Sequence, residues 1–275
     1  MPTHPLPAEL KIALLGVTGR MGRALLEAID EVPGAVLSGA AASPGSRWLG
    51  QDAGAAAGGA VRNVSVTADV GQAVAGADVV IDFTLPEATL GNVAACVAAR
   101  CPLVIGTTGH DEAVRREIAQ AAEHIGVVMS PNMSLGVNLL LKLVELTAGA
   151  LDAAYDIEIF EAHHRNKKDA PSGTALALGR AAAAGRGATL DELAEFSRHG
   201  ASAARRPGSI GFAVMRGGDV VGDHTVTFAG IGERLELTHR ASDRMAFARG
   251  AVKAAQWLVG RAPGLYSMHD VLGLD

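Results

Sequence analysis

The densest run of reactive side chains lies between Glu161 and Thr174, reading Glu161-Ala-His-His-Arg-Asn-Lys-Lys-Asp-Ala-Pro-Ser-Gly-Thr174. A histidine exchanges its proton near neutral pH, so it can donate to or accept from carbon or nitrogen. A lysine supplies a fixed positive charge for an anion that develops during reaction. Pro171-Ser-Gly-Thr then predicts the opening of a helix over 174–184, whose first-turn N–H groups and Thr174 hydroxyl suit a carboxylate. A metal site fits poorly, because His163 and His164 are neighbours on a strand and neighbours point to opposite faces. Nucleic-acid binding would use Arg165, Lys167 and Lys168, but the chain has a net charge of −5 and no aromatic residues interleave with these bases. Two readings remain: a solvated basic face, and an acid/base site for a small, multiply anionic ligand. Paired histidines have a purpose only in the second.

A second constellation is built on glycine: Gly16-Val-Thr-Gly19-Arg-Met-Gly22. Alone it could be an ordinary tight turn. Between a buried strand and an amphipathic helix it suits a dinucleotide, since glycines admit a pyrophosphate to the backbone and the helix N-terminus presents aligned N–H groups. Gly106-Thr-Thr-Gly109 and Ser130-Pro-Asn-Met-Ser134 follow the carboxyl ends of later strands, where parallel sheets bind ligands, and they fit a nicotinamide mouth. The acidic residue that grips a ribose 2′-hydroxyl about 20 residues beyond such a turn is missing. The second strand ends Gly39-Ala-Ala-Ala-Ser43, which repels no 2′-phosphate, and Arg20 or Arg47 could attract one.

These groups need a scaffold, and the chain has the material for one. Of its 275 residues 49% are hydrophobic and 19% charged, enough for a packed core, and with aromatics at 4% that core must be aliphatic. Cys96 and Cys101 are too few for a disulfide framework and lack the histidine neighbours of a zinc motif, so they read as plain thiols. The segment Met1–Glu9 holds three prolines and no apolar run, unlike a signal peptide, and no stretch of about 18 apolar residues occurs. A cytoplasmic enzyme with no membrane or nucleic-acid partner is the expectation.

The first half alternates short apolar runs with helical patterns. Strands are predicted at 11–15, 35–42, 78–82, 102–105 and 126–129. The first helix carries Met21, Ala24, Leu25, Ala28 and Ile29 on one stripe, and residues 52–60 read as a loop. Strict alternation implies a doubly wound parallel sheet. The second half has period two at 155–159, 224–228 and 234–238, with Gly217-Gly218 and Gly230-Ile-Gly232 as turns, which suggests an antiparallel sheet with one wet or interface-facing side. A closing helix over 242–258 has no partner in that alternation and is expected to return to the first domain.

Further motifs occur in order along the chain: Ile81-Asp-Phe-Thr84, Ile105-Gly-Thr-Thr-Gly109, Ser134-Leu-Gly-Val-Asn138, Val221-Gly-Asp-His-Thr225 and Gly232-Glu-Arg234. With Gly16–Gly22 and Glu161–Ala175 they give a specific resemblance, from about residue 11 to the C-terminus, to the 4-hydroxy-tetrahydrodipicolinate reductase (dihydrodipicolinate reductase) family of bacterial diaminopimelate and lysine biosynthesis. The resemblance implies reduction of a cyclic dicarboxylate by NADPH or NADH, with hydride passing to the ring and an enamine-like carbon then protonated. It implies His163 as the proton donor or acceptor, Lys167 as the catalytic lysine, and His164, Gly173 and Thr174 as substrate contacts. Cofactor contacts fall on Gly16, Val17, Thr18, Gly19, Arg20 and Met21, on Gly106, Thr107 and Thr108, and on Ser130, Pro131, Asn132 and Met133. No metal is implied. The family's homotetramer, joined through the small domain's sheets, would explain the half-wet strands.

Many relatives carry an acidic residue and then an arginine at the end of strand two, where this chain has Ala42 and Ser43, so those contacts do not carry over. The expected architecture is a Rossmann-like doubly wound parallel sheet plus a smaller α+β domain with a mostly antiparallel sheet. Residues 1–134 and 244–275 would bind the dinucleotide, and 135–243 would bind substrate and oligomerise. The rival readings are another two-domain NAD(P)-dependent dehydrogenase and a non-catalytic nucleotide-sensing protein. An intact His163 and Lys167 speak against the second.

Overall fold

The computed structural model of the chain describes residues 7–199 and 204–274, so the proline-bearing start over 1–6 lies outside the described residues. In chain order the first elements are β1 (Leu10–Leu15), α1 (Arg20–Asp30), β2 (Ala35–Ala41), α2 (Ala53–Ala56), β3 (Val66–Thr67) and α3 (Val70–Val74). β4 (Val79–Asp82), α4 (Thr89–Ala99), β5 (Leu103–Ile105), α5 (Glu112–Ala121), β6 (Gly126–Met129) and α6 (Leu135–Ala150) follow. Next come β7 (Asp156–His163), α7 (Gly173–Gly185), α8 (Leu190–Leu193), β8 (Ala194–Glu195) and β9 (Ile210–Arg216). β10 (Gly222–Gly230), β11 (Glu233–Ala241), α9 (Met245–Leu258), β12 (Gly264–Tyr266) and α10 (Met268–Leu272) complete the chain.

Two units form, each around its own core: one runs to Leu135 and resumes at Arg244, the other is Gly136–Asp243. In the first, seven parallel strands are ordered β12-β6-β5-β4-β1-β2-β3. The central strands read as unbroken apolar runs because both of their faces are covered. Ile12, Leu14 and Ile81 pack with Leu25 and Ile29 of α1 and Ala251 and Leu258 of α9. Ala13, Leu15, Val80 and Leu103 pack on the other side with Val93 of α4 and Ile118 of α5. α9 lies against α1 and the strands β4, β5 and β6. Cys96 and Cys101 are free and buried, and burial pushes the Cys101 thiol up to about 12.

In the second unit five strands are ordered β11-β10-β7-β9-β8, with α7 packed on β7, β9 and β10. Alternation sends Ile157, Ile159, Val226 and Phe228 to the helix side, where they meet Leu178 and Ala182 of α7 and Leu140 and Val144 of α6. The pairs β11–β10 and β10–β7 are antiparallel as the alternation predicts, but β7–β9 and β9–β8 are parallel, so the sheet is mixed. β9 carries Ile210, Phe212, Ala213, Val214 and Met215 on both faces and thus lacks the period-two signal.

The segment at 52–60 differs from its expected loop. Its first residues form the single turn α2, which Asp52 caps by accepting hydrogen bonds from Gly54 and Ala55 N–H. β3, β8 and β12, two or three residues each, are too short to leave a periodic pattern. α7 begins one residue earlier than predicted and ends one later.

Candidate active site

Ligands of a doubly wound sheet settle where the strand order reverses, which here is between the carboxyl ends of β1 and β4. A cleft of about 530 Å³ opens at that point, lined by Gly16, Thr18 and Gly19, by Ala42, Ser43 and Pro44 beyond β2, and by Phe83 and Thr84 beyond β4. Two of the glycines are obligatory. Gly16 has φ +88°, and a Cβ on it would lie 2.5 Å from the Phe83 carbonyl oxygen. A Cβ on Gly22 would lie 1.8 Å from the Val17 carbonyl oxygen, so α1 can pack this close to the turn only without a side chain. Gly19 caps α1 without a side chain, its carbonyl accepting from Gly22 N–H at 3.0 Å, so an anion can approach the start of the helix closely. The cradle fits a dinucleotide pyrophosphate.

Asp82, fully buried at the end of β4, organises the neighbouring turns. Its Oδ1 accepts from Thr84 N–H at 2.8 Å, Thr84 Oγ1 at 2.6 Å and Thr107 Oγ1 at 3.3 Å, and its Oδ2 accepts from Asn92 Nδ2 at 2.9 Å. Asp-Phe-Thr and Gly-Thr-Thr-Gly are thereby tied together, and the Phe83 ring lies so close to Gly106 that a Cβ there would meet it at 2.2 Å. Beyond β6, the Ser130 hydroxyl donates to the Asn132 carbonyl and Ser134 N–H donates to Asn132 Oδ1 at 2.9 Å. Among the expected cofactor contacts, Arg20 and Thr108 are exposed, Gly16, Thr18 and Met21 half-buried. The Val17 and Met133 side chains are core residues, so only their main chain can face a ligand. Arg47 stacks its guanidinium 4.9 Å above the Trp48 ring.

In the second unit, strand alternation puts Glu161 and His163 on the helix-covered face of β7. Glu161 is 0% exposed and still ionised, because its carboxylate is saturated with donors. His163 Nδ1 lies 2.5 Å from Oε2, Arg216 donates Nη1 to Oε2 and Nη2 to Oε1, each at 2.8 Å, and Ser172 N–H donates to Oε1 at 3.0 Å. Ser172 is the N-cap of α7, its hydroxyl accepting from Ala175 N–H at 3.2 Å and meeting His224 Nε2 at 3.1 Å. The His224 and His163 rings pack edge to face, with centroids 5.1 Å apart. One carboxylate thus links the histidine, the helix N-terminus and the arginine of β9.

Burial pushes the Glu161 carboxyl upward, but the Arg216, His163 and Ser172 hydrogen bonds outweigh it and hold the group below its ordinary value. Burial is also the first cause that lowers His163, joined by the charges of Lys167 and Arg216 and opposed by Glu161. Because an ionised carboxylate only accepts, His163 Nδ1 carries the proton shared with Glu161, and Nε2 is the ring position that gains or loses one. Lys167 sits in the turn after β7, its Nζ 2.9 Å from Asp169 Oδ2. His164 is half-buried. Gly173 and Thr174 occupy the first turn of α7, where Gly173 is exposed and Thr174 half-buried.

Sequence reasoning placed no role on Glu161, Ser172, Arg216 or His224. The spacing of Glu161 and His163 on a strand was a readable signal for the first. Arg216 becomes a neighbour only through the parallel register that pairs it with His163.

Residues 10–133 match the family model for the N-terminus of dihydrodipicolinate reductase, and residues 136–272 match that for its C-terminus. The 4-hydroxy-tetrahydrodipicolinate reductase of Thiobacillus denitrificans is 58% identical over 97% of this chain and 99% of its own length. That of Burkholderia thailandensis is 51% identical over 97% of this chain and 99% of its own. A dipicolinate-bound dihydrodipicolinate reductase from Paenisporosarcina sp. shares the fold with a TM-score of 0.74 at 23% identity, covering 94% of this chain and 97% of that one.

Proposed function

This chain belongs to the dihydrodipicolinate reductase family, and we propose that it reduces 4-hydroxy-tetrahydrodipicolinate to tetrahydrodipicolinate in diaminopimelate and lysine biosynthesis. It is an NAD(P)H-dependent oxidoreductase. The observation that carries this reading is the buried Glu161–His163 pair set beside the N-terminus of α7, one proton-handling imidazole next to groups that suit carboxylates.

In this reading residues 1–134 and 244–275 hold the cofactor, NADPH or NADH, and residues 135–243 hold the substrate. Gly16 through Met21 would take the pyrophosphate at α1, with Gly106 through Thr108 and Ser130 through Met133 at the nicotinamide. Ala42 and Ser43 set no carboxylate against an adenosine 2′-phosphate, which leaves both cofactors acceptable. When bound, the nicotinamide supplies a hydride to the substrate ring. His163 delivers the accompanying proton from Nε2 while Glu161 fixes its tautomer through Nδ1. Its lowered proton affinity makes the imidazolium a readier donor to carbon. Lys167 stabilises the charge that develops on the ring system, and His164 with the Gly173 and Thr174 N–H groups holds the carboxylates.

On the face of the mixed sheet away from α7, Phe160 is 43% and Met215 44% exposed. Further copies of the chain would cover this face in a homotetramer. No helix among the described residues is long and apolar enough to cross a membrane. We place the enzyme in the cytoplasm, where the reduced cofactors are available.

The test generates substrate from pyruvate and aspartate semialdehyde with a synthase, adds this protein, and follows NADPH and NADH absorbance separately. Oxidation of one or both is expected. If neither is consumed, the assignment fails.

A further inference from the structure

Arg216 forks both of its Nη atoms onto the Glu161 carboxylate at 2.8 Å, and its Nη2 also donates to the Asp169 carbonyl at 2.6 Å. Its Nε is buried without a hydrogen-bond partner. A guanidinium that leaves one donor unmade while pointing two at a single carboxylate is held there by the fold, and β9 supplies the hold by pairing Arg216 with His163 in parallel register. The oxygen that receives His163 Nδ1 is the one that receives Arg216 Nη1.

We propose that Arg216 is a positioning residue that keeps the proton affinity of the Glu161–His163 pair low, so that His163 gives up its proton to the substrate near neutral pH. This rests on the reductase reading. Every charged or titratable neighbour of His163 enters the balance. Glu161 on β7 favours the imidazolium, whereas Arg216 on β9 and Lys167 in the next turn oppose it, the last moderated by Asp169. The His224 ring on β10 packs edge to face and would repel a second charge. Removing the arginine leaves a buried carboxylate facing the imidazole with no guanidinium on its oxygens. Whether the next proton resides on Glu161 or on His163, the pair binds it more tightly, and its macroscopic pKa rises. A general acid that keeps its proton to higher pH works to higher pH, so the alkaline limb of kcat moves upward.

The experiment uses the full chain with R216M, R216K and the double variant E161Q/R216M. The kcat–pH profile is measured, and the His163 imidazole is titrated by NMR without substrate. R216M is expected to shift both the alkaline limb and the imidazole titration upward by about one pH unit, with KM changing less than kcat. E161Q/R216M is expected to cancel the shift, because the carboxylate it depends on is gone. Should R216M not fold, R216K carries the test with a smaller upward shift, since an ammonium cannot occupy both carboxylate oxygens. An unmoved imidazole titration in either folded single variant would overturn the proposal even if kcat fell. A wild-type chain that consumes no cofactor would overturn the reductase reading instead, and the NMR titration would still report on Arg216.

Discussion

The Lys167 ammonium lies 2.9 Å from the carboxylate of Asp169, two residues ahead in the same turn, with 23% of the lysine side chain exposed. Burial pushes the Asp169 carboxyl up, but the Lys167 hydrogen bond and the Arg216 charge hold it below its ordinary value. The pair keeps an ammonium in place beside His163, on whose proton affinity its charge acts. A partly exposed pair of this kind contributes at most about 1 kcal/mol to stability, so turnover and unfolding are separable readouts of the lysine's role.

Lys167→Ala is therefore expected to lower kcat by about 10²-fold, the scale of a lost electrostatic stabiliser, while the thermal unfolding midpoint barely moves. Steady-state kinetics and calorimetric melting on one preparation check both halves. Turnover close to wild type would transfer the charge role to Arg165 or Lys168.

Gly22→Ala tests the cofactor turn independently of the chemistry. The added methyl would sit 1.8 Å from the Val17 carbonyl oxygen, a backbone atom that cannot step aside without moving α1 off β1. The expected outcome is a loss of about 1–3 kcal/mol in stability. NADPH affinity should weaken by about tenfold or more, because the N–H groups of α1 no longer line up on the pyrophosphate. Titration calorimetry with NADPH measures it directly. Unchanged affinity would mean that the pyrophosphate is bound elsewhere.

The sequence showed the first unit more completely than the second, for physical reasons. β1, β4, β5 and β6 are covered on both faces, so each is a short, continuous apolar run between turns, and the glycine loop is legible because its demand is local: positive φ at Gly16 and close approach at Gly22. In the second unit the anion-site reading of Glu161–Thr174 came from residue types alone. The hub of that site did not, because Arg216 stands 55 residues from Glu161 in sequence and reaches it only through a strand that is apolar on both faces and shows no period. His224 fell within an alternating pattern that explained it as one more inward residue. Long-range register was the missing information, not chemistry.

His224 makes the fold itself sensitive to acid. It is 4% exposed, and the Ser172 hydroxyl, which already accepts from Ala175 N–H, has its proton left to donate to His224 Nε2. Buried there, with Nδ1 lacking a hydrogen-bond partner, the ring is held neutral. Burial first, and then the neighbouring His163, push it down from 6.5 to about 4. Between those values the unfolded chain binds a proton that the folded chain refuses, so stability is fully present above the unfolded value and is lost as pH falls toward the folded one. From about pH 7.5 to about pH 5 the loss from this one ring is on the order of 2 kcal/mol. Burial lowers His110, His163 and His239 too, and they pull in the same direction. Glu161 acts in a lower window, below the ordinary carboxylate range. His224→Gln, which stays neutral at every pH and can still accept from Ser172, is expected to start less stable near pH 7.5 and to lose less on acidification. Urea unfolding of both proteins at the two pH values gives the comparison. If the variant loses as much stability as the wild type between them, the His224 ring titrates in the folded protein as it does in the unfolded chain, and the acid sensitivity belongs to the other histidines.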